Sequence, residues 1–141
     1  MTAGREPSRG GLAGSTSAST KQRGDQAEDE ALAYLQAQGL QLIRRNFHTP
    51  GRGGGEIDLI LRAPDGTVVF VEVRQRRSAR QGGAAASVSL TKQRRIIFAA
   101  RHFLMRWPHL PACRFDVVAV EGEADQRHMV WTQGAFVADG Y

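Results

Sequence analysis

Hydrophobic spacing along the chain changes from helical to extended and back again. Ala27, Ala31, Tyr34 and Leu35 recur at helical intervals. The spacing predicts a first helix from about Lys21 to Gln38, with Thr20 as N-cap and Gly39 as terminator. Glu28 lies on the flank of the apolar stripe, whereas Asp25, Asp29 and Gln36 fall on the opposite, wet face. "GLQLIRRNF" (Gly39 to Phe47) reads as a short strand, and the glycine-rich "HTPGRGGG" after it as a loop. No Lys-Ser/Thr follows that loop, so a phosphate-binding loop is not expected.

Two period-two runs follow. Ile57, Leu59 and Leu61 alternate with Glu56, Asp58, Ile60 and Arg62, and Val69, Val71 and Val73 alternate with Val68, Phe70, Glu72 and Arg74. Each reads as a half-buried strand. Pro64-Asp65-Gly66 suits a three-residue hairpin loop with Gly66 left-handed. Pairing Ala63 with Thr67 then sets Ile60 opposite Phe70, Asp58 opposite Glu72 and Glu56 opposite Arg74. A one-residue slip would bury Glu72 on the apolar face, an expensive place for an unpaired charge.

Beyond a basic loop (Arg74 to Ser87), Ile96, Ala100, Phe103, Leu104 and Trp107 predict a second helix over Leu90 to Trp107. Ser89 or Ser87 would cap it and Pro108 would stop it. "RFDVVAV" (Arg114 to Val120) and "HMVWTQGAF" (His128 to Phe136) are the last strands. The order helix, strand, hairpin, helix, strand indicates an α/β or α+β sandwich with a mixed sheet. Residues 1–20, rich in Gly, Ser, Thr and Ala, are expected to be a disordered tail, leaving one domain over residues 21–141.

Charge changes this picture more than composition does. The 141 residues hold 19 Lys+Arg against 14 Asp+Glu. From Val73 to Phe115 no acid occurs, while Arg74, Arg76, Arg77, Arg80, Lys92, Arg94, Arg95, Arg101, Arg106 and Arg114 do. Such clustering is the footprint of phosphate contacts, although a solvated basic surface yields the same statistics. Neither a secretory signal nor an apolar run of membrane-spanning length is present, and the one cysteine, Cys113, forms no internal disulfide. A cytoplasmic protein that makes no use of a membrane is expected, with Cys113 as a buried structural thiol. The four histidines show no metal-ligand spacing.

Carboxylates facing each other across a hairpin repel, so Asp58 and Glu72 need relief. One source is Mg²⁺ or Mn²⁺, hard cations suited to oxygen ligands, with Glu28 as a further ligand and Arg74 stabilising charge on a phosphate. The other is a structural network in which Arg62 and Arg74 bridge the acids. The residues leave both open.

The run "GGEIDLI…VFVEVR", preceded by "AEDEALAYLQAQGLQLIRRNF" and followed by "RFDVVAV" and "GAF", resembles the YraN family, uncharacterised bacterial proteins grouped with endonucleases. The resemblance spans about Lys21 to Phe136. It implies a restriction-endonuclease-like fold of the PD-(D/E)XK superfamily, shared with Holliday-junction resolvases: a mixed sheet with a central hairpin flanked by helices. Carried over, Glu28 is the helix acid, Asp58 the strand aspartate and Glu72 the motif glutamate, with Glu56 an auxiliary acid of the family's own motif. Arg74 stands where the superfamily has lysine, and it stays protonated, so it is no base. The expectation is a Mg²⁺- or Mn²⁺-dependent endonuclease on DNA held through backbone phosphates by Arg76, Arg77, Arg80, Lys92, Arg94 and Arg95, with branched DNA the form that the resolvase likeness suggests. A homodimer is suggested by the resolvase likeness. The alternative is a non-catalytic nucleic-acid-binding module on the same scaffold.

Overall fold

The computed structural model describes residues 20–76, 83 and 85–138. Most of the segment expected to be a disordered tail, Arg77 and Arg80 of the basic loop, and residues 139–141 lie outside these. Helix α1 (Thr20–Ala37) is followed by strands β1 (Gln41–His48), β2 (Glu56–Arg62) and β3 (Val68–Arg76), helix α2 (Leu90–Leu104), and strands β4 (Cys113–Glu121) and β5 (His128–Phe136). The strands form one sheet in chain order, antiparallel except for the parallel β3–β4 pair that α2 joins. This mixed α+β arrangement is consistent with the restriction-endonuclease-like core that the sequence resembles. Among the described residues no helix is long and apolar enough to cross a membrane.

The hairpin register agrees with the one counted from the loop. Ile60 pairs with Phe70 and Arg62 with Val68, Ala63 N–H bonds to Thr67 C=O at 2.8 Å, and Gly66 is left-handed at φ +93°. The expectation of half-buried strands needs correcting. Val68 through Glu72 are all buried, because the sheet is covered on both faces. Ala31 and Leu35 of α1 pack on Leu59, Leu61, Val69, Val71 and Val118. Ile96, Ile97, Ala99 and Ala100 of α2 pack on the alternate set, Ile60, Val68, Phe70, Val117 and Ala119. Adjacent residues of β3 therefore serve different cores.

Three further details depart from the sequence reading. Helix α2 ends at Leu104, before Trp107, since a residue preceding proline avoids helical geometry and the turn at Met105 closes onto the His102 carbonyl. Cys113 is exposed, with its Sγ donating to the Pro111 carbonyl at 3.4 Å. Its place as the first residue of β4 puts it at the sheet's end, short of the core. β1 also carries a register shift between Leu42 and Arg44, and Asn46 is left-handed at φ +54°.

The loop between β1 and β2 is held against α2 at close range. Thr49 Oγ1 accepts the Gly55 N–H at 2.8 Å, and Arg95 Nη2 donates to the Gly54 carbonyl at 3.2 Å. A Cβ on Gly55 would overlap the Arg95 backbone carbonyl, which cannot swing away. Gly55→Ala is therefore expected to destabilise the protein by roughly 1–3 kcal/mol in urea unfolding. Gly24→Ala, in open space within α1, should instead be neutral or stabilising by up to about 1 kcal/mol. Equal effects at the two positions would contradict this packing.

Candidate active site

β2 and β3 pair in register only as far as Leu59 and Val71. Beyond that point the strands are joined by a side chain: Asp58 Oδ2 accepts the Val73 N–H at 2.8 Å. Asp58 thus sits where the hairpin opens. The ladder does not continue to the expected Glu56–Arg74 pair. Instead Glu56 pairs with His48 of β1 and Arg74 with Ala119 of β4.

Glu72 follows directly on β3 and is only 4% exposed. Its Oε2 lies 3.5 Å from Arg74 Nη1 and 3.9 Å from Lys92 Nζ. Its Oε1 is buried and accepts no hydrogen bond. Burial pushes the Asp58 carboxyl up to about 7, with the neighbouring Glu72 charge adding to the rise and the Val73 N–H opposing it. Glu72 is raised too, chiefly by burial, while Lys92 and Arg74 hold it back. Near neutral pH the two carboxyls behave as a coupled pair that binds a proton readily.

Glu28 approaches from α1. Burial and the Asp58 charge raise its carboxyl above the ordinary range, while Arg45 and Asn46 draw it back. Its Oε1 is 3.5 Å from Arg45 Nε, without a hydrogen bond, and Arg45 Nη2 is committed to Asp29 at 2.6 Å. Glu56, expected as an auxiliary acid, stands apart and half-exposed, 4.0 Å from His48.

Among the described residues no three His, Cys, Asp or Glu side chains converge as a ready metal ligand set. The fit to a cation rests on chemistry. Two buried carboxylate oxygens, Glu72 Oε1 and Glu28 Oε1, lack hydrogen bonds, and both acids act electrostatically on Asp58 or it on them. Hard, anionic, underused oxygens suit Mg²⁺ or Mn²⁺. Asp116 on β4 provides the contrast. It is fully buried, yet its carboxylate accepts from Arg114 Nε at 3.0 and 3.1 Å, Trp131 Nε1 at 2.9 Å and Gly134 N–H at 3.0 Å. That acid is saturated and pins β4 to β5; Glu72 is not.

The residues expected to grip phosphate divide. Arg76 turns to Glu121, with Nη1 3.7 Å from Oε2. Arg77 and Arg80 lie outside the described residues. Arg94 and Arg95 are exposed on the outer face of α2, beside Phe98 and Arg101. Lys92, expected on that surface, faces the carboxylates instead. Ser89 Oγ accepts the Lys92 N–H at 3.1 Å and so fixes the first turn of α2 over the end of β3. The Ser89 cap made the position of Lys92 at the helix start legible in the sequence, but not its direction toward the sheet. Arg62, a candidate bridge to the acids, lies over the Trp107 ring at 5.6 Å.

The uncharacterised protein family UPF0102 has a model that matches residues 27–120, which include Glu28, Asp58, Glu72 and Lys92. A UPF0102 protein of Albidiferax ferrireducens is 66% identical over 119 residues, 84% of this chain and 90% of that protein. Others from Polaromonas naphthalenivorans (62% over 124 residues; 84% and 81%) and Paracidovorax citrulli (60% over 129 residues; 92% and 91%) are similar throughout.

The raised Asp58 carboxyl makes a stability prediction with a definite sign. An unfolded chain releases this proton near 3.8 and the folded one near 7. Stability from the group is therefore complete below 3.8 and is lost as pH rises toward 7. In chelator, Asp58→Asn should raise stability at pH 8 by roughly 1–3 kcal/mol relative to the parent, with the gain vanishing near pH 4. An offset independent of pH in calorimetric unfolding would contradict the assignment.

Proposed function

The chain belongs to the uncharacterised protein family UPF0102, the YraN-like family whose motif it carries, and on that footing we propose that it is a divalent-cation-dependent endonuclease acting on DNA phosphodiesters. The observation that carries this reading is the Asp58–Glu72 pair. Glu72 is buried and Asp58 half-buried, both are raised in pKa, Glu72 Oε1 is short of hydrogen bonds, and two cationic side chains stand beside the pair. A purely structural acid in this protein looks like Asp116, which is saturated.

Asp58 and Glu72 would hold Mg²⁺ or Mn²⁺, with Glu28 as the third acid. When bound, the ion supplies Lewis-acid polarisation of a phosphoryl oxygen and makes water a better nucleophile. Val73 N–H keeps the Asp58 carboxylate oriented. Arg74 and Lys92 share Glu72 Oε2 and are free to exchange it for a non-bridging phosphate oxygen, which brings positive charge to where negative charge grows. Arg74 would contribute charge and hydrogen-bond donors, not a general base. Arg94 and Arg95, at the outer surface of α2, suit backbone phosphates and carry no base-reading pattern. Branched DNA is the substrate form suggested by the resolvase likeness.

One observation favours a second reading, a non-catalytic DNA-binding module. Two of the three acids already have internal cations: Arg45 for Glu28, Arg74 and Lys92 for Glu72. Incubation of linear and four-way-junction DNA with Mn²⁺ or Mg²⁺ separates the two. Metal-dependent cleavage is expected, abolished in Asp58→Ala and Glu72→Ala and reduced about 10²-fold or more in Lys92→Ala. DNA affinity should fall as salt rises, with a shallower slope in Arg94→Ala/Arg95→Ala. Salt-dependent binding by all forms with cleavage by none would leave the binding module.

A further inference from the structure

The early end of α2 has a consequence on the same face of the sheet. Because the helix stops at Leu104, Trp107 leaves the helical stripe and stands with Phe103, at 6.0 Å between ring centroids, beside Phe47 of β1. A cavity of about 700 Å³ opens between them, lined also by Arg44, Arg106 and His102. The volume is within the range of small-molecule sites, roughly 300–1,000 Å³. Arg44 lies over the Phe47 ring at 5.3 Å, and Arg62 over Trp107 at 5.6 Å. None of the described residues lining the cavity is acidic. At its rim His48 meets Glu56 at 4.0 Å, and Met105 stands 74% exposed.

We infer that this cavity binds an unpaired nucleobase of a single-stranded segment, with the adjoining phosphates on Arg44 and Arg106. Three aromatic rings and two guanidiniums with no acid among them provide what such a nucleotide needs. A ring face stacks on any base, and the cations meet the phosphates on either side. An aliphatic protein segment would gain nothing from the guanidiniums. A duplex could not present a base face to Trp107 without unstacking it. The register sets the cavity next to the candidate active site: Phe47 pairs with Ile57, the residue before Asp58. The inference rests on the proposed function and narrows its substrate to DNA carrying unpaired nucleotides near the bond to be cut.

Trp107 reports on its own site. In chelator, where no cleavage occurs, the protein is titrated with a short single-stranded oligothymidylate, the same strand in duplex form, and a strand with abasic positions. The signal is the difference in tryptophan emission between the parent and Trp107→Phe. The expected result is quenching by the single strand and an affinity about tenfold weaker for the duplex and the abasic strand. Arg106→Ala, an exposed position, should weaken single-strand binding severalfold without changing the melting temperature. Equal quenching by single strand and abasic strand, or saturable binding with no Trp107 signal, would overturn the inference. Cleavage without base-dependent quenching removes the cavity's role and leaves the endonuclease. Quenching without cleavage upholds the cavity and removes the endonuclease.

Discussion

Two carboxyl groups held together where the central hairpin opens are the constraint around which this protein is arranged. β2 and β3 stop pairing at Leu59 and Val71, and the bond from Val73 N–H to Asp58 spans the opening. That bond fixes Asp58, half-buried, beside the buried Glu72 although the two are alike in charge. Such a pair subtracts from stability whenever it is ionised. The surrounding fold compensates with cores on both sheet faces, α1 over Leu59, Leu61, Val69 and Val71 and α2 over Ile60, Val68 and Phe70. Burial on both faces also keeps water from the acids, which is what raises their pKa values.

The positive charge is arranged around that pair at graded distances. Lys92 and Arg74 touch Glu72, Arg45 steadies Glu28, and Arg94 and Arg95 stand outside on α2. The inner cations limit the cost of the acids in the isolated protein, and under the proposed function they would exchange them for phosphate. On that proposal the same side chains would serve either a resting network or a loaded site, with the balance set by a cation and a polyanion. Asp116 carries no such ambivalence. Four hydrogen bonds to three partners occupy it, and it serves only to tie β4 to β5.

The hairpin was legible in the sequence because Pro64-Asp65-Gly66 admits one good register and because a slip would bury Glu72 on the wrong side. The family resemblance then singled out Glu28, Asp58 and Glu72 as candidates, and in the structure Asp58 and Glu28 act on one another electrostatically, as do Asp58 and Glu72. What the sequence concealed was set by tertiary packing. Period-two alternation in β3 suggested one wet face, since valine, phenylalanine and valine alternating with valine look the same whether one helix or two cover them. Lys92 read as one more surface charge of a basic helix, because its direction depends on where Ser89 starts α2 over the sheet. Arg76 read as a phosphate contact, yet pairs with Glu121, a residue so distant along the chain that only the parallel β3–β4 register brings the two level.

The central claim is that Asp58 and Glu72 form a coupled pair built to exchange a proton for a divalent cation. It is tested most directly by following the side-chain carboxyl carbons of both residues by ¹³C NMR through a pH titration, with and without Mg²⁺. The account predicts that one of the two titrates near pH 7 in the metal-free protein and that Mg²⁺ moves that step to lower pH. Titration of both groups in the ordinary carboxylate range, unchanged by Mg²⁺, would contradict it.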